Sequence, residues 1–374
     1  MTKMTGIYIH IPFCLRKCPY CDFYSGAADG AVKEAYVKAV IRNIYDFKNR
    51  GICADTVYFG GGTPSLLSAE QIGRIISACN ESFAMKEPEI TMECNPCTVD
   101  YEKLCGYRGA GVNRLSFGIQ SAQDRELAAI GRLHDFAQAE KAVENAVKAG
   151  FDNISGDVML GLPEQTQKSL ENTLELMCSM PLSHISAYML KIEEGTPFDC
   201  DEIRNAVADE DTLCDMYMQT AEFLKGKGFE HYEISNFALD GKYSRHNLKY
   251  WQGEEYIGIG AAAHSFFDGR RYCCPADREG FISQPVQTKQ ILEESPDKAS
   301  EYVMLGLRLS KGISLEKLKD MDADINEDDI RNMKKFAERF VENGLVVISG
   351  DNISLTAKGF LVSNEIIGEF LDMI

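Results

Sequence analysis

The sequence has too little positive charge for a general nucleic-acid-binding protein. Its 374 residues include 39 Lys and Arg against 57 Asp and Glu, a formal net charge of −18. A protein that binds a phosphate backbone or an anionic membrane surface needs an excess of basic side chains. We therefore expect no nucleic acid among the partners of this protein.

Long apolar runs are also missing. No stretch of about 18 consecutive apolar residues occurs, so the sequence predicts no membrane span. The N-terminus lacks a basic segment followed by a long apolar one, and we expect no signal peptide. The 13 cysteines mostly stand alone in a chain too long to be a disulfide scaffold. Free thiols are typical of a reducing compartment, and the expected localisation is the cytoplasm.

Three cysteines are concentrated in one short stretch. Cys14, Cys18 and Cys21 have the spacing C-x3-C-x2-C. They follow the alternating apolar run 6–13, which predicts a strand, so they occupy the loop at its carboxyl end. Thiolates suit iron–sulfur clusters, zinc or copper(I). Three thiolates leave one coordination position open, which favours cofactor or substrate chemistry over a closed structural site.

Two other interpretations of these cysteines remain open at this point. Residues 18–21, Cys-Pro-Tyr-Cys, resemble the redox dithiol of glutaredoxins. A second pair, Cys94 and Cys97, is able to complete a four-cysteine zinc site. Both interpretations leave Cys14 without a role.

Strand-like segments alternate six times with helical patterns. This alternation predicts a parallel sheet with right-handed crossovers. Six units are too few for the usual closed eight-fold barrel. We expect an α/β fold, a partial, open (β/α)6 TIM-type barrel with room for a large substrate. The predicted strands are residues 6–11, 56–59, 89–93, 114–118, 153–158 and 184–189.

The rest of the chain predicts two further parts. Residues 1–235 form the expected barrel, and the mixed segment 236–298 is expected to complete its site. Residues 299–374 combine short helices with a hairpin, a pattern that resembles a small winged-helix-like α+β domain. This segment has nine Lys and Arg against fourteen Asp and Glu, which argues against DNA binding. A packing or substrate-covering role is the better interpretation.

The cysteine stretch and its flanks resemble a known signature. Tyr8, residues 10–14 (His-Ile-Pro-Phe-Cys) and residues 18–21 together are similar to the motif of radical S-adenosylmethionine (SAM) enzymes. The resemblance is strongest to the branch that holds oxygen-independent coproporphyrinogen III dehydrogenase and the HemW-type heme chaperones. It implies that the three cysteines bind a [4Fe-4S] cluster. It also implies that the amino and carboxylate groups of SAM chelate the fourth iron.

Polar and glycine residues near successive predicted strand ends indicate a lined site. Residues 60–63, Gly-Gly-Gly-Thr, lack the Gly-Lys-Ser/Thr ending of a phosphate-binding loop. The resemblance implies instead that these positions serve SAM. Residues implied to contact the SAM on the cluster are Tyr8, Gly61 and Glu93. Residues implied to face a second SAM or a substrate are Tyr20, Gly62, Thr63, Gln120, Arg132 and Asp157, with a weaker match at Lys191.

Two departures from the dehydrogenase pattern favour the chaperone type. The dehydrogenase has a fourth cysteine two residues after the third, where this chain has Phe23. It also has an extension before its first strand, whereas here that strand begins near Gly6. The expected function is therefore a heme chaperone that binds heme and transfers it to a client protein. The alternative is the dehydrogenase itself, which decarboxylates porphyrinogen propionates with SAM and an electron donor protein.

The stretch 246–251, His-Asn-Leu-Lys-Tyr-Trp, is characteristic of the HemW type. It holds the single tryptophan of the chain. Imidazole is a common heme ligand and aromatic rings stack on the macrocycle. We therefore expect His246 to ligate heme, with Tyr250 and Trp251 against its face. His264 is the rival ligand. The expected cofactors and ligands are a [4Fe-4S] cluster, SAM, and heme or a porphyrin.

Overall fold

The computed structural model describes residues 3–374, and one large sheet dominates it. The strands are β1 Met4–Ile11, β2 Cys53–Gly61, β3 Ala84–Cys94, β4 Arg114–Gln120, β5 Ile154–Leu160, β6 His184–Met189, β7 Glu230–Glu233, β8 Asn236–Ala238, β9 Tyr256–Ile259, β10 His264–Phe267, β11 Arg270–Cys273, β12 Gln290–Glu293, β13 Ile313–Ser314, β14 Val346–Ser349 and β15 Asn352–Leu355.

Helices follow most of these strands. They are α1 Gly30–Tyr45, α2 Ala69–Ser82, α3 Tyr101–Ala110, α4 Asp124–Ala129, α5 Phe136–Lys148, α6 Gln167–Ser179, α7 Asp201–Arg204, α8 Glu210–Gly226, α9 Arg245–Trp251, α10 Arg278–Ser283, α11 Lys298–Gly306, α12 Leu315–Met321, α13 Glu327–Glu338, α14 Ala357–Leu361 and α15 Ser363–Leu371.

The six predicted parallel strands are present and lie side by side in chain order. Strands β1 to β6 pair in parallel register from each one to the next, and crossover helices connect them. Side chains fix the starts of these helices: Ser68 and Gln71 form a capping box at α2, and Asp135 and Gln138 form one at α5. The expected partial barrel is confirmed, and its strands bring their carboxyl ends to one face.

Further strands extend this sheet on both sides. The complete order is β12-β11-β10-β9-β1-β2-β3-β4-β5-β6-β8-β7. Strand β9 runs parallel to β1, while β8 runs antiparallel to β6. Residues 236–298, which contain β8 to β12, thus enlarge the sheet. Because β12 and β7 are its two edges, the sheet stays open.

Helix α9 closes the base of the barrel, where the parallel strands begin. Lys249 of α9 is buried, and its Nζ lies 2.9 Å from Asp55 Oδ1 at the start of β2. The imidazole of His246 packs so closely on Gly6 of β1 that a Cβ there would lie 3.0 Å from the ring. The backbone N–H of His246 donates to Glu89 of β3 at 3.3 Å. The stretch 246–251 therefore packs against the first residues of the parallel strands, at the end opposite to the cysteine loop.

The C-terminal part has its own antiparallel sheet, in the order β13-β15-β14. Helices α11 to α15 surround this sheet, as expected for a winged-helix-like α+β unit. Backbone hydrogen bonds attach it to β7: Ile234 N–H donates to Arg308, and Ser310 N–H donates to Tyr232. Within residues 3–374, no helix is long and apolar enough to cross a membrane.

Candidate cofactor site

The cysteine loop forms one wall of a deep cavity at the carboxyl ends of the strands. The cavity has a volume of about 490 Å³. Cys14, Cys18 and Cys21 all line it, are partly exposed and are free thiols. In the described part of the chain, no three His, Cys, Asp or Glu side chains are arranged to hold a single metal ion. Three thiols that line one cavity suit a polynuclear cluster, because such a cluster spans several sulfur ligands.

The second cysteine pair lies near the first, since Cys94 also lines the cavity and Cys97 is close to Cys18, but both thiols have other partners. Cys94 is buried at the end of β3, and its thiol contacts the Met92 carbonyl at 3.8 Å. The Cys97 thiol donates to Asn95 Oδ1 at 3.2 Å. Burial raises the pKa of both thiols. These contacts give no support to a four-cysteine zinc site.

The glycine-rich end of β2 lies directly under the cysteine loop. Gly62 N–H donates to the Ile11 carbonyl at 2.9 Å, and Thr63 N–H donates to the Phe13 carbonyl at 2.7 Å. A Cβ on Gly62 would lie 2.6 Å from that Phe13 oxygen, so only glycine fits. The Thr63 hydroxyl is 3.6 Å from Cys14 Sγ. The two loops therefore form one rigid edge of the cavity.

Glu93 is the partly buried carboxyl group of this edge. Its carboxylate accepts from the Tyr58 hydroxyl at 2.8 Å and from Gly61 N–H at 3.3 Å. Burial raises its pKa to about 7. The neighbouring Tyr8 hydroxyl is hydrogen-bonded to His10 Nδ1 at 3.1 Å. The residues expected to contact the SAM on the cluster, Tyr8, Gly61 and Glu93, thus share this corner with Gly62, which was expected to face a second SAM or a substrate. Gly61, Gly62 and Glu93 line the cavity.

Arg132 forms the wall opposite to the glycine edge. Its guanidinium donates to the Gly118 carbonyl at 2.7 Å and approaches Cys18 Sγ at 3.7 Å. Its buried Nε has no hydrogen-bond partner among the described residues. Tyr20 lies beside it, with its ring 6.1 Å from that of Phe198. An unpartnered donor beside three free thiols fits a site that binds a further acceptor group.

The ends of β4 and β5 supply two more of the expected residues. Gln120 has a left-handed backbone with φ of 74°, which is strained for a residue with a side chain. The Tyr188 hydroxyl donates to its side-chain oxygen at 2.9 Å. Asp157 accepts from the Ser116 hydroxyl at 3.1 Å, and burial raises its pKa to about 6. Both Gln120 and Asp157 line the cavity.

Lys191 lies at the mouth of the cavity rather than in its interior. Its side chain is 79% exposed, and its Nζ pairs with Glu193 at 2.8 Å. Such an exposed pair contributes little to stability. The position leaves Lys191 able to contact a ligand only at the entrance.

Arg114 is a site residue that the sequence did not reveal. It opens β4 and is 2% exposed, yet it lines the floor of the cavity. Its Nε has no hydrogen-bond partner in the part of the chain that the structure describes. It shares one face of β4 with Ser116, Gly118 and Gln120, which alternate with it along the strand and also line the cavity. Other lining residues missed from sequence are Tyr188, His184, Asn236 and Asn247.

The proposed heme residues are not part of the cavity lining. His246 is fully buried, and its two ring nitrogens are hydrogen-bonded to the hydroxyls of Thr56 at 2.7 Å and Tyr250 at 2.8 Å. Trp251 lies under the Arg308 guanidinium, 5.9 Å from its ring. These contacts oppose the expectation that His246 ligates heme. His264, by contrast, is exposed at the start of β10.

Comparisons with known proteins place the fold and the site in a family. Residues 8–177 match the model of the Radical SAM superfamily, and residues 294–362 match the HemN C-terminal domain. The protein Heme chaperone HemW of Lactococcus lactis is 34% identical over 99% of this chain and 98% of its own length. This chain belongs to the HemW family of radical SAM proteins.

Other relatives agree with this assignment. Heme chaperone HemW of Synechocystis is 37% identical over 90% of this chain and 85% of its own length. The Escherichia coli coproporphyrinogen III oxidase HemN has a similar solved structure with a TM-score of 0.82. The structural match covers 100% of this chain and 91% of the HemN chain. The sequence identity is 21%, so the likeness concerns the fold. Membership of the superfamily implies a [4Fe-4S] cluster and SAM, and the cavity fits both.

Proposed function

We propose that this protein is a heme chaperone, which binds heme and transfers it to a client protein. The proposal is supported by the match to proteins named heme chaperones over nearly the whole chain at 30% to 37% identity. It is also supported by Phe23, because the dehydrogenase pattern has a fourth cysteine at that position. The client, an electron donor protein and a cytoplasmic location belong to the same proposal.

In this proposal, the cysteine loop holds the [4Fe-4S] cluster through Cys14, Cys18 and Cys21. The cluster, when bound, supplies one-electron chemistry and an iron with an open position for SAM. The chain itself fixes the loop on the glycine edge through the Gly62 and Thr63 hydrogen bonds. Arg132 adds a positive charge beside the thiolate of Cys18, which compensates charge on the sulfur ligands.

The carboxyl groups of the cavity favour a cationic ligand such as SAM. Burial holds the pKa of Glu93 near 7 and that of Asp157 near 6, so both lose part of their charge at neutral pH. A nearby ammonium or sulfonium group stabilises the ionised forms. We propose that the SAM on the cluster contacts Tyr8, Gly61 and Glu93. The residues proposed for a second SAM or a substrate are Tyr20, Gly62, Thr63, Gln120, Arg132, Asp157 and, at the mouth, Lys191.

Glu93→Gln is expected to weaken SAM binding by about 1–3 kcal/mol, the usual contribution of a hydrogen bond to a charged group. Isothermal titration of cluster-loaded protein with SAM measures the effect. Glu233→Gln is the matched control, because burial also raises the pKa of Glu233 to about 7, but this residue does not line the cavity. Equal SAM affinity in wild type and Glu93→Gln contradicts the assignment.

The function itself is tested by two assays on the same anaerobic preparation. Wild-type protein is expected to bind heme in a one-to-one ratio, with a Soret band that saturates in a titration. It is expected to convert little or no coproporphyrinogen III when SAM and a reductant are supplied. Robust, SAM-dependent release of CO2 would favour the dehydrogenase alternative over the chaperone.

A further inference from the structure

The cavity is too small to take heme together with the cluster and SAM. Its volume of about 490 Å³ is in the range of a pocket for a single drug-sized ligand. The proposed function already assigns this space to the cluster and SAM. The cluster and SAM therefore leave little of this volume for a tetrapyrrole, and the base of the barrel is closed by α9.

The cavity mouth exposes apolar side chains on the cysteine loop. Phe23 is 63% exposed and lines the entrance, and Leu15 is 57% exposed. The neighbouring loop adds Leu133, which is also exposed, and the Arg16 guanidinium connects the two loops by donating to the Gly131 carbonyl at 2.6 Å. Of the three, Phe23 lines the cavity, and Leu15 and Leu133 lie on the two loops that Arg16 joins. Exposed apolar side chains on loops that border a cavity are typical of a binding surface.

The same loop carries two adjacent cations, Arg16 and Lys17, and one carboxylate, Asp22, which also lines the cavity. Arg16 and Lys17 both line the entrance. Neither pairs with a carboxylate within 4.0 Å in residues 3–374. The chain as a whole has a net charge of −18, and Arg16 and Lys17 place two adjacent positive charges at the cavity entrance. They complement an anionic ligand.

We propose that the mouth surface, formed by Leu15, Arg16, Lys17, Phe23 and Leu133, is the heme-docking site of this protein. Heme is flat, apolar on its faces and carries two propionates at one edge. Phe23 and the leucines match a macrocycle face, and Arg16 and Lys17 match the propionates. This inference rests on the proposed chaperone function and moves the heme site from α9 to the cysteine loop.

The test is a heme titration of cluster-loaded, anaerobic protein, followed by the Soret band at low and high salt. Phe23→Gln is expected to raise the Kd for heme about tenfold, as for the loss of one well-packed aromatic contact. The double variant Arg16→Gln, Lys17→Gln is expected to raise the Kd for heme and to make this Kd less dependent on salt. In wild type, salt screens the attraction between the two cations and the heme propionates, and the variant lacks that attraction.

Controls come from exposed residues far along the chain, in the C-terminal unit. Val347→Gln changes an apolar side chain that is 50% exposed on β14, and Lys335→Gln removes a cation on α13. Both are expected to bind heme like wild type. Iron content and SAM affinity are measured for every variant. If the changes at positions 16, 17 or 23 reduce iron content, Leu133→Gln on the other loop is used as the test variant, and a severalfold rise in its Kd for heme is expected.

Two negative results are distinguishable. If wild-type protein does not bind heme in a one-to-one ratio, the proposed function fails, and the docking site fails with it. If wild type binds heme and the Phe23, Leu133 and Arg16/Lys17 variants bind it equally well, the docking site alone is overturned.

Discussion

Replacing Cys14, Cys18 or Cys21 by serine is expected to abolish the iron–sulfur cluster of anaerobically reconstituted protein. Each thiolate supplies one of the three protein ligands, and two ligands with a weakly bound hydroxyl do not hold a [4Fe-4S] cluster. Iron and sulfide should fall from about four per chain to below one. The broad visible absorption should disappear with them. Metal analysis and the spectrum of each variant measure the loss.

Cys97→Ser is the sharpest control for this experiment. Its thiol lies close enough to Cys18 for a charge there to raise the pKa of Cys97, but it donates a hydrogen bond to Asn95. We expect this variant to keep its full iron content. Unchanged iron in the Cys14, Cys18 and Cys21 variants would be incompatible with the proposed site, whereas iron loss in Cys97→Ser would reopen the zinc interpretation.

The sequence predicts the parallel half of the fold well because burial gives it a simple pattern. Strands β1 to β6 are covered by helices, so their central residues, such as Ile7, Ile9 and Val57, are apolar and fully buried. The strands β7 to β12 are short, and β12 is exposed along its whole length. Four-residue segments with mixed polarity carry no clear period. Their places in the sheet depend on pairing with β1 and β6, which are distant in sequence.

The site was partly predictable for a different reason. Cysteine spacing and the glycine edge are local patterns, and the structure brings them together at one end of the barrel. Arg114 was missed because it opens β4, whereas site residues were sought at the carboxyl ends of the strands, although it alternates along β4 with Ser116, Gly118 and Gln120, which also line the cavity. The stretch 246–251 shows the opposite problem. Its composition suits heme, but its hydrogen bonds at the base of the barrel give it a structural role.

Two aromatic rings connect His246 to the cavity. The imidazole is stacked with the Tyr58 ring at 5.2 Å and the Tyr8 ring at 6.3 Å. The hydroxyl of Tyr58 donates to Glu93. Helix α9 therefore supports, through two tyrosines, the corner of the cavity that we propose for SAM. A change at His246 is expected to act on stability and on that corner before it acts on heme.

His246→Ala is expected to lower the free energy of unfolding by about 3 kcal/mol at pH 7. The substitution leaves a cavity in the base and deprives the Thr56 and Tyr250 hydroxyls of their partner. Urea unfolding followed by circular dichroism measures the loss. The Soret band and the heme stoichiometry of the folded variant should match those of wild type. His264→Ala, which changes an exposed imidazole, is the control and should leave stability unchanged.

The pH dependence of stability separates this explanation from heme ligation. Burial lowers the pKa of His246 to about 3, so below pH 6.5 the unfolded chain binds this proton and the folded chain does not. Wild type therefore loses up to about 1.4 kcal/mol per pH unit from this group as the pH falls from 6.5 towards 3. The raised pKa values of Glu93 and Glu233 act in the opposite sense and are common to both proteins. His246→Ala should thus show a shallower loss of stability in acid. A variant with wild-type stability at every pH but no Soret band would instead make His246 the heme ligand.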